Sequence, residues 1–258
     1  MSEAPGPRPP DSGPRTADHY SYTVYADPAM ADEFDRARFS GPIGELLAAT
    51  QADVLRDYAG SGGGGAVLDV GTGTGRAALV LAEAGARVTA VDASAEMLRV
   101  AEARANARGS AIVFGIGDAH HLAFDDGSFD TVVSLRVLMH TPDWRQCVAE
   151  ACRVASRRVI VDYPAAGSVA ALQAAARHLA HRLGARTEPY RVFSDRQIKS
   201  EFQRHGFRIT REHRQFVLPI AVHKRLHSRA VTTGIERVLA SVGLLKLAGS
   251  PVTILAER

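Results

Sequence analysis

Apolar and polar positions alternate with two different periods along the middle of the chain. Short apolar runs at 66–70, 87–91, 111–116, 129–135 and 158–162 have the length of buried strands, and stretches with helical spacing separate them. Strands that alternate with amphipathic helices are typical of a parallel sheet covered by helices on both faces. The pattern therefore predicts an α/β fold with a Rossmann-like, doubly wound sheet.

Capping residues predict where the helices begin. Ser94 is an N-cap residue before a helix, and Thr141 is a second N-cap with Pro142 at the first helical position. Ser194 is followed three residues later by Gln197, which is the spacing of a capping box. We therefore expect helices to start at these three points.

The alternation stops after residue 164. The sequence then predicts an alanine-rich helix at 165–183, a strand at 207–217, a mostly helical insert at 219–248 and a last strand at 251–257. We expect the last two strands to pair across the insert. The sheet would then have seven strands, mostly parallel, with the last strand antiparallel.

The N-terminal region divides into three parts. Residues 1–18 are rich in Pro, Gly and Ser and predict a disordered tail, whereas 20–58 has apolar residues at helical intervals and predicts a helical arm. A glycine-rich linker at 60–65 follows. We expect one domain over 19–258, with the arm at its start.

Composition limits the class of protein. The chain has 258 residues, of which 46% are hydrophobic and 23% are charged, as in soluble globular domains. No apolar run reaches the roughly 20 residues of a membrane-spanning helix, and no secretory signal is evident. The net charge of +3 is too small to indicate nucleic-acid binding. We therefore expect a cytoplasmic protein that binds no nucleic acid, with Cys147 and Cys152 reduced and packed as small apolar residues.

Three closely spaced glycines follow the first predicted strand. Gly71, Gly73 and Gly75 would open a helix, where backbone amides face a bound ligand. Asp92 ends the second strand, where a carboxylate can accept hydrogen bonds from ribose hydroxyls. Arg76 occupies the position of the third glycine in the dinucleotide fingerprint, which argues against a nicotinamide cofactor. The shorter pattern, with an acid two residues before it, suits a cationic ligand without a pyrophosphate.

The run DVGTGTG at 69–75 resembles the first motif of class I S-adenosylmethionine (SAM)-dependent methyltransferases. Over 66–162 the chain is similar to their UbiE-like, or type 11, group, through VDAS at 91–94, GDA at 117–119 and SLRVLMH at 134–140. The resemblance implies SAM as cofactor and S-adenosylhomocysteine as product. It implies that the cofactor site comprises Asp69, Gly71, Thr72, Gly73, Gly75, Asp92, Ala93, Met97, Asp118, Ala119, Ser134 and Leu135.

Methyl transfer requires an acceptor that is held in line with the methyl group. His140 follows the fourth strand and is the candidate base, although a capping role would also explain it. Arg136, Tyr25 and Arg38 are candidate substrate residues, and the segments 19–25 and 36–39 could close over the cofactor. His120 and its neighbour His121 are expected at the pocket rim or on the surface. The scattered histidines predict no metal site.

The acceptor is expected to be small and hydrophobic, such as a phenol, a quinol or a lipid-linked molecule methylated on oxygen or carbon. Its contacts would come from lid segments at 165–193 and 219–248, which have apolar and basic residues. An ordinary solvated lid and a lid in peripheral contact with a membrane both fit this pattern. An NAD(P)-dependent oxidoreductase and a non-catalytic SAM-binding protein remain as alternatives, and both a monomer and a homodimer are compatible with the sequence.

Overall fold

The computed structural model describes residues 31, 33, 35, 39–60, 64–184 and 189–258. The predicted tail at 1–18 and the start of the predicted arm lie outside the described residues, as do Tyr25 and Arg38. What the structure describes of the arm is mainly one helix, α1 (Gly41–Ala59). That helix ends at Gly60, which starts the glycine linker.

The described residues form a sequence of strands and helices in the predicted order. The strands are β1 (Ala66–Val70), β2 (Arg87–Asp92), β3 (Ile112–Ile116), β4 (Phe129–Ser134), β5 (Ala155–Tyr163), β6 (Arg208–Phe216) and β7 (Ser250–Glu257). The helices after α1 are α2 (Arg76–Glu83), α3 (Ala95–Ala107), α4 (Trp144–Val154), α5 (Val169–Arg182), α6 (Asp195–Arg204), α7 (Ile220–Leu226), α8 (Arg229–Ser241) and α9 (Leu244–Ala248). A 3₁₀ turn (Leu138–His140) lies between β4 and α4.

The strands form one seven-stranded sheet in the order β3-β2-β1-β4-β5-β7-β6. The first five strands are parallel, and β7 runs antiparallel to both β5 and β6. The predicted doubly wound sheet with its antiparallel last strand is therefore confirmed. The strand order reverses between β1 and β4, and open α/β sheets bind ligands at the carboxyl ends of the strands at such a point.

Both faces of the central strands are buried, which explains why they are continuous apolar runs. On one face Leu68 and Val132 pack with α4 and with Phe202 of α6. On the other face Val67 and Val133 pack with α2 and with Leu55 of α1. Successive side chains of a strand point to opposite faces of the sheet. Because helices cover both faces, odd and even positions along each central strand must both be apolar.

Ser94 and Ser194 are confirmed as N-caps. The Ser94 hydroxyl accepts the backbone N–H of Met97 at 3.1 Å, and Ser194 forms the complete capping box with Gln197. The prediction for Thr141 is wrong. Helix α4 begins later, and its N-cap is Asp143, because the 3₁₀ turn occupies the preceding residues and the Thr141 hydroxyl donates to the carbonyl of Leu138.

The predicted boundaries after residue 154 also need correction. Strand β5 starts at Ala155, directly after α4, and α5 starts after Ser168, whose hydroxyl caps it. The predicted insert is divided into α7, α8 and α9 because His227 and Gly243 have left-handed backbone conformations. A left-handed residue interrupts the helical hydrogen-bond ladder and redirects the chain.

The two cysteines lie on α4, are buried and form no disulfide. Burial raises the pKa of each thiol to about 12. Both side chains therefore behave as small apolar core residues, as predicted.

Candidate functional site

The three glycines of the loop have positive φ angles of 68°, 56° and 80° at Gly71, Gly73 and Gly75. A Cβ on Gly71 would lie 2.3 Å from Cγ2 of Val137, and one on Gly75 would lie 3.0 Å from Cβ of Ala101. For Gly73, no atom of the described residues lies within 4 Å of the Cβ position. Gly71 and Gly75 therefore allow close packing, whereas Gly73 keeps space open for a ligand.

Two acidic residues lie beside this loop, of which Asp69 is buried and Asp92 is half-buried. Asp69 of β1 accepts a hydrogen bond of 2.7 Å from the Thr72 hydroxyl, and burial raises its pKa to about 6. Asp92, the last residue of β2, accepts the backbone N–H of Gly73 at 2.8 Å and that of Ser94 at 2.9 Å. Burial raises the pKa of Asp92 as well. The site thus concentrates negative charge where few water molecules can solvate it.

Asp118 follows β3 and forms the third acidic position. Its Oδ1 accepts the backbone N–H of His120 at 2.9 Å and lies 2.8 Å from Nδ1 of the same histidine. These contacts fix the orientation of the carboxylate. His120 was expected at the pocket rim or on the surface, and the structure places it in the wall of the pocket with Asp118.

These residues surround a cavity of about 170 Å³. Ten of the twelve predicted cofactor residues line it: Asp69, Gly71, Thr72, Gly73, Asp92, Ala93, Met97, Asp118, Ala119 and Leu135. Gly75 and Ser134 do not. Gly75 packs on Ala101, and the Ser134 hydroxyl donates to the carbonyl of Val70 at 3.1 Å. Both act in the packing of the loop.

The cavity wall also contains residues outside that predicted set. Thr74, Ser94, Gly117 and Val137 belong to the motifs that predicted the cofactor site, whereas Gln51, Arg76, Ala77 and Thr141 were not predicted as site residues. Arg76 is the most informative of them. Its guanidinium donates to Oε1 of Gln51 at 2.5 Å and lies 3.4 Å from the ring centre of Phe39, and burial lowers its pKa to about 10. The only local signal for this role is that Arg76 replaces a glycine of the dinucleotide pattern.

The N-terminal region contacts the glycine loop. The carboxylate of Asp35 accepts a hydrogen bond of 3.0 Å from the Thr74 hydroxyl and also pairs with Arg104 of α3. Asp35 and Phe39 thus reach the loop and the start of α2, whereas 36–38 lie outside the described residues, and the closure of 36–39 over the cofactor stays a prediction.

A second cavity, of about 610 Å³, adjoins the first. Gln51, Arg136 and His140 line both cavities. Most of the rest of its wall comes from α5, α7 and residues at or near the ends of β5, β6 and β7, and Phe39, Leu47, Met139 and Tyr190 complete it. Both predicted lid segments therefore contribute to this cavity.

Arg136 stands at the junction of the two cavities in an unusual backbone conformation. Its φ is 61°, in the left-handed region that non-glycine residues rarely adopt. Its backbone N–H donates a short hydrogen bond to the buried Asp162, the carboxylate near the end of β5. Burial raises the pKa of Asp162. Asp162 was missed from the sequence because it is one polar residue within an apolar strand.

His140 is buried at the end of the 3₁₀ turn. Its backbone N–H donates to the carbonyl of Val137 at 2.9 Å, which fixes the turn. Its position between the two cavities is consistent with the predicted role as a base, because a group in the second cavity would face a ligand in the first across this residue.

One carboxylate organises the far wall of the second cavity. Glu236 of α8 accepts the backbone N–H groups of Val217 at 2.8 Å and Leu218 at 3.0 Å. It also lies 2.8 Å from Nε2 of His223, a fully buried residue of α7. This cluster joins α7, α8 and the end of β6 into one wall.

Across the described residues, no group of three or more His, Cys, Asp or Glu side chains is arranged to hold a metal ion. Within the same part of the chain, no helix has both the length and the apolar character that crossing a membrane requires.

Residues 68–161 match the model of a family described as methyltransferase domain. A demethylmenaquinone methyltransferase of Thermus thermophilus is 37% identical over 103 residues, which are 38% of this chain and 47% of that protein. Methyltransferase GfsG of Streptomyces halstedii is 32% identical over 139 residues, 53% of this chain and 46% of that protein. The chain spans less than half the length of the curated relatives it matches.

Among solved structures, magnesium protoporphyrin IX methyltransferase from Synechocystis, with bound S-adenosylhomocysteine, superposes with a TM-score of 0.64. The two proteins share 18% sequence identity, and the match covers 93% of this chain and 98% of the other. At that identity the similarity establishes the fold. The described chain has the fold of the class I methyltransferases.

Proposed function

We propose that this chain, whose residues 68–161 form a methyltransferase domain within the class I methyltransferase fold, uses SAM to methylate a small, hydrophobic molecule. The family match and the fold confirm the resemblance that the motifs at 69–75, 91–94 and 117–119 predicted. The activity, the cofactor and the acceptor are our proposal.

One observation supports the proposal above all others. The buried carboxylate of Asp69 and the half-buried carboxylate of Asp92 adjoin a glycine loop at the point where the strand order reverses. Ionised carboxylates in such a place are costly unless a cation or hydrogen-bond donors offset their charge. SAM offers a cationic amino group, a sulfonium and ribose hydroxyls, which match this set of acceptors.

Other residues that line the first cavity also suit the chemical groups of SAM. Gly73 leaves open the space that a side chain would fill, and Met97 provides an apolar surface beside Asp92. Asp118 offers a carboxylate in the same wall. We assign Asp69 to the methionine part, Asp92 to the ribose, and Met97 with Asp118 to the adenine.

When bound, SAM supplies a methyl group that is already activated by its sulfonium. The protein then has to orient the acceptor, exclude water and receive a proton where the acceptor is a hydroxyl. Gln51, Arg136 and His140 lie where the two cavities meet, so they are placed to orient an acceptor there. We propose that an imidazole nitrogen of His140 takes the acceptor proton and that Arg136 orients the acceptor. Tyr25 and Arg38 remain candidates for further substrate contacts.

The second cavity favours an acceptor that is mainly apolar with some polar groups. Its wall combines Leu47, Met139 and Ile220 with polar side chains such as Gln173 and Gln215. A phenol or a quinol, including a lipid-linked one, has this combination of an apolar body and a reactive hydroxyl or ring carbon.

Calorimetric titration with SAM, S-adenosylhomocysteine and NADH tests the cofactor assignment. We expect both adenosyl ligands to bind and NADH not to bind. Asp92→Asn should weaken SAM binding by tenfold or more, because hydrogen bonds to charged acceptors contribute about 1.5–3 kcal/mol. Binding of NADH without SAM would contradict the proposal.

Transfer of radiolabelled methyl groups from SAM to a panel of phenols, quinols and lipid-linked quinols tests the activity. For any accepted hydroxyl, His140→Ala should lower kcat by about 10²–10⁴-fold, with little change in SAM affinity. SAM binding without transfer to any member of a broad panel would favour a non-catalytic SAM-binding protein.

A further inference from the structure

Exposed apolar side chains are concentrated in the two lid segments. Among the described residues, twelve large hydrophobic side chains are exposed, and ten of them lie within 165–193 and 219–248. These ten are Leu172, Leu179, Leu183, Val222, Leu226, Val231, Val238, Val242, Leu244 and Leu247. We call the surface that they form the lid surface.

Helix α5 contributes the most exposed part. Ala174 is its one buried residue, and Leu172, Leu179 and Leu183 are 73%, 60% and 78% exposed. Their spacing of seven and four residues places the three leucines on one stripe of the helix. A stripe of exposed leucines on a barely packed helix indicates a surface that something else covers.

Helix α8 repeats this arrangement. Val231, Val238 and Val242 have the same spacing of seven and four residues and are likewise exposed. Helix α9 continues from α8 and reaches the start of α5, because a Cβ on Gly167 would lie 3.5 Å from the carbonyl oxygen of Leu247. The two lid segments therefore meet at the start of α5.

In the parts of the two lid segments that the structure describes, the exposed charges have one sign. Exposed basic residues in the described parts of the two segments are Arg177, Arg182, Arg191, Arg225, Arg229, Arg237 and Lys246. Glu236 is the one acidic residue of these parts, and it is buried against His223. The lid surface thus combines exposed aliphatic side chains with positive charge.

We propose that the lid surface docks on an anionic lipid bilayer. Amphipathic helices with aliphatic residues and Lys or Arg at their borders bind in the headgroup region through apolar burial and attraction to anionic lipids. A second copy of the chain is a poorer occupant, because the same face would bring like charges together. A protein partner is also less favoured, since protein docking sites are enriched in aromatic residues and the large hydrophobic side chains exposed here are all Leu and Val.

Docking through the lid surface would place the second cavity next to the bilayer. Val169, Gln173 and Arg177 of α5 and Ala221 of α7 line that cavity, and both helices also form the lid surface. An apolar molecule could therefore pass from the bilayer to the cavity wall without crossing water.

Flotation of the full chain with phosphatidylcholine vesicles that contain or lack phosphatidylglycerol tests the proposal. We expect binding only where the anionic lipid is present, and loss of binding at high salt because salt screens exposed charges. Failure to bind the anionic vesicles would overturn the proposal. Flotation requires no methyl transfer, so the proposed activity can fail or succeed independently.

Matched double variants show whether vesicle binding depends on the apolar side chains of the lid surface or on exposed apolar side chains in general. Leu172→Gln with Leu179→Gln should lower vesicle binding at least tenfold, whereas Val113→Gln with Ile116→Gln, the other two exposed positions, should leave it unchanged. An unchanged SAM affinity and melting temperature would show that the leucine variant is folded. Equal losses in the two variants would contradict docking through the lid surface.

Charge variants test the anionic component. Arg182→Gln with Arg237→Gln should weaken binding about fivefold for each lost charge, while Arg87→Gln with Arg208→Gln, outside the lid surface, should change it little. Light scattering measures the oligomeric state of the wild type and of the leucine variant. A dimer that the leucine variant dissociates would identify the lid surface as an interface between two copies and overturn the proposal.

Discussion

The Thr72 hydroxyl donates a hydrogen bond of 2.7 Å to the buried carboxylate of Asp69. The bond ties the glycine loop to the end of β1 and shields one carboxylate oxygen from solvent. It also favours the ionised acid, but burial has the larger effect and raises the pKa of Asp69 to about 6. This relationship gives the site a testable dependence on pH.

SAM affinity should depend on the ionisation of Asp69. A cationic ligand prefers the carboxylate, so we expect affinity to be constant well above pH 6 and to fall by about tenfold for each pH unit below it. Calorimetry across this range measures the effect. In Asp69→Asn the affinity should be lower and the slope should be reduced to the contribution of Asp92, whose pKa is also raised.

The stability of the unliganded protein should depend on pH in the opposite sense. Because the pKa of Asp69 is about 6 in the folded state and 3.8 otherwise, the folded state binds the proton more tightly. Between these values, lowering the pH should stabilise the wild type relative to Asp69→Asn. Urea denaturation of both proteins at several pH values checks this, and a constant difference would refute the role of burial.

Gly71→Ala should disrupt the loop through one identified contact. Its new Cβ would lie 2.3 Å from Cγ2 of Val137, at a φ of 68° that disfavours any side chain. We expect a loss of about 2–4 kcal/mol in unfolding free energy and loss of SAM binding.

The double variant Gly71→Ala with Val137→Ala removes Cγ2 and should recover part of that stability. Gly73→Ala is the matched control, because its Cβ meets no described atom, so it should cost only about 1 kcal/mol. Denaturation midpoints of the four proteins measure these effects. Equal costs for Gly71→Ala and Gly73→Ala would show that the contact with Val137 is unimportant.

The left-handed backbone of Arg136 should cost stability, while its guanidinium should contribute to methyl transfer. Arg136→Gly relieves the left-handed conformation and should keep or raise the unfolding free energy by up to about 1 kcal/mol, whereas Arg136→Ala should not. Both variants lose the guanidinium, so both should have impaired transfer to an acceptor with similar SAM affinity. Thermal denaturation and kinetics on the same preparations distinguish the two effects. A lower unfolding free energy in Arg136→Gly than in the wild type would refute the prediction that Arg136 is strained.

Glu236 should anchor the wall of the second cavity. Glu236→Ala leaves the N–H groups of Val217 and Leu218, together with His223, without their acceptor, which should cost about 3 kcal/mol. Glu236→Gln keeps one oxygen acceptor and should lose less. Hydrogen exchange should accelerate at 217–226 in the alanine variant, while β1 stays protected. Uniform acceleration would indicate global destabilisation instead.

Much of the fold could be predicted from the sequence because its signals are local. The apolar runs that became β1 to β5, the caps at Ser94 and Ser194, and the glycine loop each depend on neighbouring residues and on a fixed period. Predicted helix boundaries were wrong where another local structure used the same residues. Thr141 has the chemistry of a cap, but the 3₁₀ turn uses its hydroxyl and moves the helix start to Asp143.

The sequence by itself determined the sheet, the loop and most of the first cavity, since the carboxyl ends of parallel strands must meet at one edge. Only the tertiary structure decided the rest. The contact between Arg136 and Asp162, the contact of Arg76 with Phe39, and the pair of Glu236 with His223 join residues of different elements, which no local pattern relates. Likewise, local spacing places Leu172, Leu179 and Leu183 on one helix face, but only the tertiary structure shows that this face is exposed, because burial depends on what the rest of the fold places against a side chain.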